Sequence, residues 1–249
     1  MWPVFFLSLF LVLALASLIV VSAINQFQER KRMVARKVQQ LRLRVTELDE
    51  LATTVDSLVE SPQIAGHIND EAIDMVEAML KLDSENQGLI VIQQTLLSKR
   101  SSFASIDRER EIYRLRESDA AIARTLYMLN EAGRILRRRQ AAEKLNLAEM
   151  EFYLKDLAWA HMLVGVVSTV AQGQKVQSNG DYLRAHAYYK RAQQVAVQTS
   201  SNDERKNDLV REITNLMHNK GKYLSPRFMP ESQPSEREKN DHAASEAPL

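Results

Sequence analysis

Five histidines, His67, His161, His186, His218 and His242, are the imidazole ligands in a chain of 249 residues that has no cysteine. A zinc-protease helix sets two histidines four apart with a glutamate after the first, so that both imidazoles share one face and the carboxylate activates a water. No pair here has that spacing. A di-iron bundle needs a glutamate three residues before a histidine on two helices. At that offset stand Ile64, Ala158, Leu183, Asn215 and Lys239. No G-x-x-x-x-G-K-[ST] loop, G-x-G-x-x-G turn or G-x-S-x-G elbow occurs. The acidic residues Glu143, Glu149, Glu151 and Asp156 are spread round a helix, whereas acid–base catalysis by paired carboxylates needs two that converge. A triad assembled from distant positions stays open on these grounds alone. His161 beside Trp159 and Met162 reads as a packing residue, and His186 as one facing solvent or a neighbouring helix. The expectation is a binding protein without catalytic residue, metal or cofactor, with an enzyme of unrecognised site as the alternative.

The elements that carry these residues are helices. Seven glycines and six prolines make about 5% of the chain, against roughly 12% in average usage. Between residues 4 and 225 only Pro62 interrupts it. Sheets and barrels need many turn residues, and long helices need few. The predicted fold class is all-α.

Residues 1–28 carry no charge, and residues 4–24 form an apolar run broken in polarity only by Ser8, Ser17 and Ser22. Its members are Val4, Phe5, Phe6, Leu7, Leu9, Phe10, Leu11, Val12, Leu13, Leu15, Leu18, Ile19, Val20, Val21 and Ile24, with alanines between. At about 1.5 Å per residue the run spans a hydrocarbon core of about 30 Å. A cleaved signal would carry a basic n-region and a shorter apolar stretch. No Lys or Arg precedes this run, so an uncleaved anchor is expected, with cleavage at Val21-Ser22-Ala23 and a periplasmic or secreted helical module as the alternative. Arg30, Lys31, Arg32, Arg36, Lys37, Arg42 and Arg44 follow, against Glu29, a local charge of +6. Such a flank stays in the cytoplasm, leaves the short N-terminus outside, and lies against anionic headgroups. A bacterial inner membrane is the expected location.

The whole chain carries +1, so residues 45–249 carry about −5. Nucleic-acid binders show a basic stripe with motif support. Only Arg134, Arg137, Arg138 and Arg139 cluster here, and they read as a solvated helix face, so a nucleic-acid partner is not expected. From Val34 apolar residues recur in steps of four and three through Val38, Leu41, Val45, Leu48, Ala52, Val55 and Val59. This pattern suits a parallel two-stranded coil over residues 34–59, in which Arg44 pairs with Asp49, or a stripe packed within one chain. Further on, Pro62 opens a helix, residues 71–86 and 87–98 read as helices, residues 98–105 as a serine-rich loop, and residues 107–139 and 141–163 as long helices forming a rod or an antiparallel pair.

The region 166–199 contains Gly173, Gly180, Tyr182, Ala185, Tyr189 and Ala192. With these residues it resembles a tetratricopeptide repeat, a helix–turn–helix unit of 34 residues. Thr169, Gln172, Val176 and Val197 depart from that pattern. A half-match covers residues 71–86 through Ala72, Val76 and the ending Leu82-Asp83-Ser84-Glu85-Asn86. The resemblance implies close helix approach at Gly173, a turn at Gly180, and interhelical filling by Tyr182 and Tyr189 against Ala185 and Ala192. It also implies a surface that binds a protein, capped by a helix over 202–219.

The domain plan is an anchor at 1–28, a basic juxtamembrane and coiled-coil-like helix at 29–60, a helical hairpin at 62–105, long helices at 106–165, a tetratricopeptide-like hairpin with its cap at 166–224, and a disordered tail at 225–249. The expected function is a membrane-tethered adaptor or scaffold.

Overall fold

The computed structural model describes residues 2–105, 108, 110–199, 203–221 and 223–230, with side chains at 17, 22 and from 24 onward. The described residues form seven helices and no strand: α1 Trp2–Asp56, α2 Gln63–Leu82, α3 Gln87–Ala104, α4 Asp119–Ala141, α5 Leu147–Ser178, α6 Tyr182–Gln198 and α7 Arg205–Met217. The all-α class holds. The chain forms two compact units, Met1–Glu47 with Ala72–Leu97, and Leu48–Glu71 with Ser98–Leu249.

In the first unit, the apolar run and the basic flank belong to one helix, because after Pro3, in the first turn where a proline is tolerated, no proline or glycine interrupts α1, whose 55 residues rise about 80 Å. Val38 and Val45 of its stripe are buried, as are Ala72, Ile73, Val76 and Met79 of α2 and Leu89 and Leu96 of α3. Gly88 opens α3 against α1: a Cβ there would lie 2.6 Å from a guanidinium nitrogen of Arg42. In the second unit the same stripe is buried at Leu48, Ala52 and Val55 of α1 and at Val59 just beyond its end, so one chain already covers it, as the intramolecular reading has it. Within the single chain, the two residues that would pair across a coiled-coil seam have other partners. Arg44 reaches Glu47 at 2.9 Å, three residues along its own helix, and Asp49 pairs with Lys99.

Three further expectations are corrected. Residues 98–105 are not a loop: α3 runs to Ala104, because Lys99 and Arg100 pair with Asp49 and Asp70 and Phe103 is buried. The helix expected from 107 starts at Asp119, capped by Ser118, whose hydroxyl accepts from the Ala121 amide at 3.2 Å. The tail does not begin at 225, since Phe228 and Met229 are core residues and the Ser225 amide donates to Glu212 at 2.8 Å. Residues 231–249 lie outside the described residues. Of the two arrangements for 106–165, the antiparallel pair forms, with α4 and α5 packed across a short turn in which Glu143 takes φ +57°.

What replaces the expected helix is a strap. Residues 110–116 run beside the end of α1, and the Tyr113 amide donates to the Ser57 carbonyl at 2.9 Å. The Arg110 guanidinium donates to the carbonyls of Asp56 (3.2 Å), Val59 (3.4 Å) and Glu60 (2.6 Å), and Arg114 donates to that of Leu58 at 3.0 Å. Arg108 pairs with the Asp56 carboxylate. Helix C-termini leave four carbonyls without intrahelical donors and carry partial negative charge, so a guanidinium with five N–H groups suits them. At the far end of the strap the Arg116 amide donates to Ser168 on α5 at 2.9 Å.

A second polar cluster joins α2 to α4. Arg139 is buried and meets Glu71 at 3.3 Å and Asp70 at 3.7 Å, while Arg138 reaches Glu71 at 3.0 Å. His67 lies beside them, its ring 5.5 Å from that of Tyr153. Burial, then the Arg139 charge, holds its pKa below the ordinary 6.5.

Three outcomes follow from this packing. Arg114→Ala, measured by chemical denaturation of the full chain, should cost about 1–3 kcal/mol, because the buried Leu58 carbonyl loses its donor. Gly173→Ala and Gly133→Ala should move stability in opposite directions. A Cβ at Gly173 would meet the buried Tyr189 ring at 2.7 Å and cost about 1–3 kcal/mol, while one at Gly133 meets nothing nearer than 3.5 Å and gains up to about 1 kcal/mol in helix propensity. Because the folded pKa of His67 lies below 6.5, the unfolded chain binds more protons as pH falls through 6.5, so its contribution to the melting temperature should fall as pH drops from 6.5 through its folded pKa. His67→Gln should flatten that slope.

Candidate protein-binding surface

The hairpin of α5 and α6 contains the six residues that carry the repeat-like spacing. Asn146 caps α5 by accepting from the Glu149 amide at 2.8 Å, and Asp181 caps α6 by accepting from the Arg184 amide at 3.0 Å. Between the helices Gly180 takes φ +85°, a conformation a Cβ disfavours. Gly173 is the point of closest approach, where the Tyr189 ring occupies the space of the missing side chain. Tyr189 is 2% exposed and its hydroxyl donates to Gln177 Oε1 at 2.6 Å. Burial pushes its phenol pKa above 10. Ala185, Ala192 and Ala196 continue the buried stripe opposite Val170 and Val166.

Tyr182 departs from expectation. It falls on the same stripe of α6, three residues before Ala185 and seven before Tyr189, yet it is 64% exposed. The reason is the length of α5, which ends at Ser178, so that only the turn at Asn179 and Gly180 stands opposite Tyr182. Its ring instead borders a hollow of about 210 Å³ with Gln177, His186, Leu216 and Asn219. The neighbouring Leu183 is 83% exposed, and His186 is exposed as well. Sequence reasoning missed Leu183. The signal was a leucine on the polar side of the α6 stripe.

Helix α7 covers the opposite side of α6, with Leu209, Ile213 and Leu216 buried and Gln193 donating to Thr214 at 2.8 Å. The helix expected over 202–219 runs from Arg205 to Met217. Trp159, 2% exposed, packs under the Arg205 guanidinium (4.4 Å to the ring centre) and near Phe228. Arg205 is held by both Asp203 oxygens and by Glu60 at 2.7 Å, and that guanidinium keeps the Asp203 carboxyl below its ordinary pKa. A cleft of about 530 Å³ opens there among Glu60, Phe152, Lys155, Asp156 and Trp159. Asp156 is occupied structurally, accepting from the amides of Glu60 (3.3 Å) and Ser61 (2.8 Å).

The other predicted groups are dispersed. His161 is half-buried in a groove of about 260 Å³ between α4 and α5 with Asn130, Gly133 and Arg137, and burial lowers its pKa. The arginine cluster is not a uniform solvated face: Arg134 pairs with Glu131, Arg138 and Arg139 pair with Glu71, and Arg139 is buried because α2 lies against that end of α4. Among the described residues no group of three or more histidines and carboxylates is placed to hold a metal.

The backbone of α1 is helical through the predicted anchor, whose side chains up to Val21 lie outside the described residues apart from Ser17. Ile24 is exposed, as are Arg30, Lys31, Arg32, Arg36 and Lys37. Among the described residues α5 is long and apolar enough to cross a membrane, but most of its apolar window is buried, including Leu163, Val164, Val166, Val167 and Val170, which is the state of a core helix. Comparison with known proteins finds no protein-family model, no curated protein and no solved structure that matches this chain.

Proposed function

We propose that the protein is a single-pass membrane adaptor that binds another protein through the open edge of its α5–α6–α7 array, without a chemical step. The observation that carries this reading is the pair Tyr182 and Leu183, exposed at the tip of a hairpin whose other face is locked by Gly173, Ala185, Tyr189 and Ala192. A rigid helix end presenting an aromatic and an aliphatic residue supplies the apolar anchors that protein interfaces use. The tetratricopeptide-like spacing of the same residues supports a helical docking surface. Residues 4–24 would span the bilayer of a bacterial inner membrane. Arg30, Lys31, Arg32, Arg36 and Lys37 would keep the helical body cytoplasmic. Tethering then raises the partner's effective concentration at the membrane.

Two measurements on the full chain test the proposal. The chain should stay in the membrane fraction through alkaline carbonate extraction and give cytoplasmic reporter fluorescence when fused after residue 249. A photo-crosslinker at Leu183 should capture a discrete protein, and Leu183→Glu should abolish capture by a crosslinker at Tyr182 while leaving melting unchanged, since the side chain is 83% exposed. Extraction by carbonate would remove the anchor, and undiminished capture in Leu183→Glu would remove the docking edge.

A further inference from the structure

Beyond the open edge of α6, the first unit carries a second surface. Along one stripe of α1, Phe27, Val34, Ala35 and Val38 form an apolar seam flanked by Arg30, Lys31 and Arg42. Leu82, Asp83 and Asn86, at and just after the end of α2, close one end of it, and the whole is a hollow of about 660 Å³. Phe27 is 59% exposed and Lys31 lies 4.6 Å above its ring. Ala35 is exposed and Val34 and Leu82 are incompletely covered, so the apolar stripe that the chain buries at Val38 and Val45 is left open at Phe27, Val34 and Ala35.

Three occupants compete for it: an anionic lipid, a second copy of this chain, and a helix of another protein. Depth decides against lipid. Lys31 stands seven residues beyond Ile24, about 10 Å along the helix axis, whereas Val38 and Arg42 stand about 21 and 27 Å beyond it. The headgroup layer adds only about 5–8 Å to each side of the hydrocarbon core. A tilt of about 20° shortens these heights by less than a tenth. The upper half of the seam is therefore above the headgroups, in water, where no lipid presents itself. Charge decides against a second copy. Two parallel helices emerging from one bilayer would set Arg30, Lys31 and Arg42 of one copy beside the same three of the other.

We infer that the Phe27–Arg42 stripe of α1 docks an acidic amphipathic helix of another membrane protein, one that rises from the same bilayer alongside α1. The apolar side of that helix covers Phe27, Val34 and Ala35, and its Asp or Glu residues meet Arg30, Lys31 and Arg42. Pairing of this kind sets partner and orientation through flanking charges, as it does in coiled coils. Its depth argument rests on the membrane-anchored reading above, but its residues are distinct from the α6 edge.

The test uses the full chain in phosphatidylcholine nanodiscs and two fluorescent helical peptides of three heptads. Both have leucine at the a and d positions, one has glutamate at e and g, and the other lysine there. The glutamate peptide should bind roughly tenfold or more tightly than the lysine peptide, with salt weakening it. Val34→Gln should weaken it roughly tenfold, since Val34 is part of the seam. The triple reversal Arg30→Glu, Lys31→Glu, Arg42→Glu should invert the preference toward the lysine peptide. Equal binding of the two peptides, or indifference to Val34→Gln and to the reversal, would overturn the inference. So would a photo-crosslinker at Val34 that captures added phosphatidylglycerol, which assigns the stripe to lipid, or a second copy of the chain, which makes it a dimer face. Carbonate extraction separates this inference from the one it rests on: a chain that leaves the membrane overturns both, while an anchored chain that binds neither peptide overturns this one alone.

Discussion

The end of α1 is buried, and that single constraint shapes the second unit. Leu58 and Val59 are fully covered, yet the turn they occupy carries carbonyls that no helix hydrogen bond uses. Water cannot serve those of the buried residues. Arg110 and Arg114 do, and Asp156 accepts the amides of Glu60 and Ser61 from the other side. Because these groups come from the strap and from α5, satisfying one turn fixes where residues 110–116 run and how α5 lies against it. The strap then reaches Ser168 on α5 through the Arg116 amide, so the same segment that closes α1 also meets the core helix of the hairpin.

That dependence explains which parts of the fold were legible in the sequence. The α5–α6 hairpin was readable because its determinants are local: a glycine for close approach, a glycine for positive φ, an acidic cap, and alanines at helical spacing. Tyr182 was misplaced although its spacing was right, because its burial depends on how far the opposite helix extends, which spacing within α6 does not report. Residues 107–118 were misread for the reverse reason. Leu115 and Ile122 keep a heptad interval, but the arginines at 108, 110 and 114 are needed as donors to a distant helix end, and that demand is non-local. The serine-rich stretch 98–105 misled in a third way. Serine is only a weak helix breaker, and the pairing of Lys99 and Arg100 with the burial of Phe103 outweighs it.

Charge shows the same division between local and distant. A sequence sees Arg134, Arg137, Arg138 and Arg139 as one basic run, whereas the fold sends Arg139 inward to Asp70 and Glu71 and leaves Arg137 at a groove. Arg205 likewise is spent on Asp203, Glu60 and the Trp159 face. Breaking such a buried pair costs far more than its formation gains, because the remaining charge is stranded. These groups therefore specify which helices meet. The cleft beside Trp159 is framed by residues whose charges already answer one another, so its volume alone gives a ligand little to replace.

The open surfaces arise from the same geometry as the closed ones. Gly173 draws α5 and α6 so close that Tyr189 fills the gap, and the stripe beyond it toward α5's end has no opposing wall once α5 stops at Ser178. Tyr182 and Leu183 are exposed at that point because the hairpin is well packed behind them: a looser turn would let the aromatic ring fold inward. On α1 the reasoning runs in parallel. The stripe is sealed at Val38 and Val45 by the chain's own helices and is open between Phe27 and Ala35, where the α2–α3 turn is the last element beside it. In both places an amphipathic helix outlasts the neighbour that would cover it. An apolar stripe that continues past its intramolecular partner, held on a rigid helix, is pre-organised for a second chain, because little conformational entropy remains to be lost on binding.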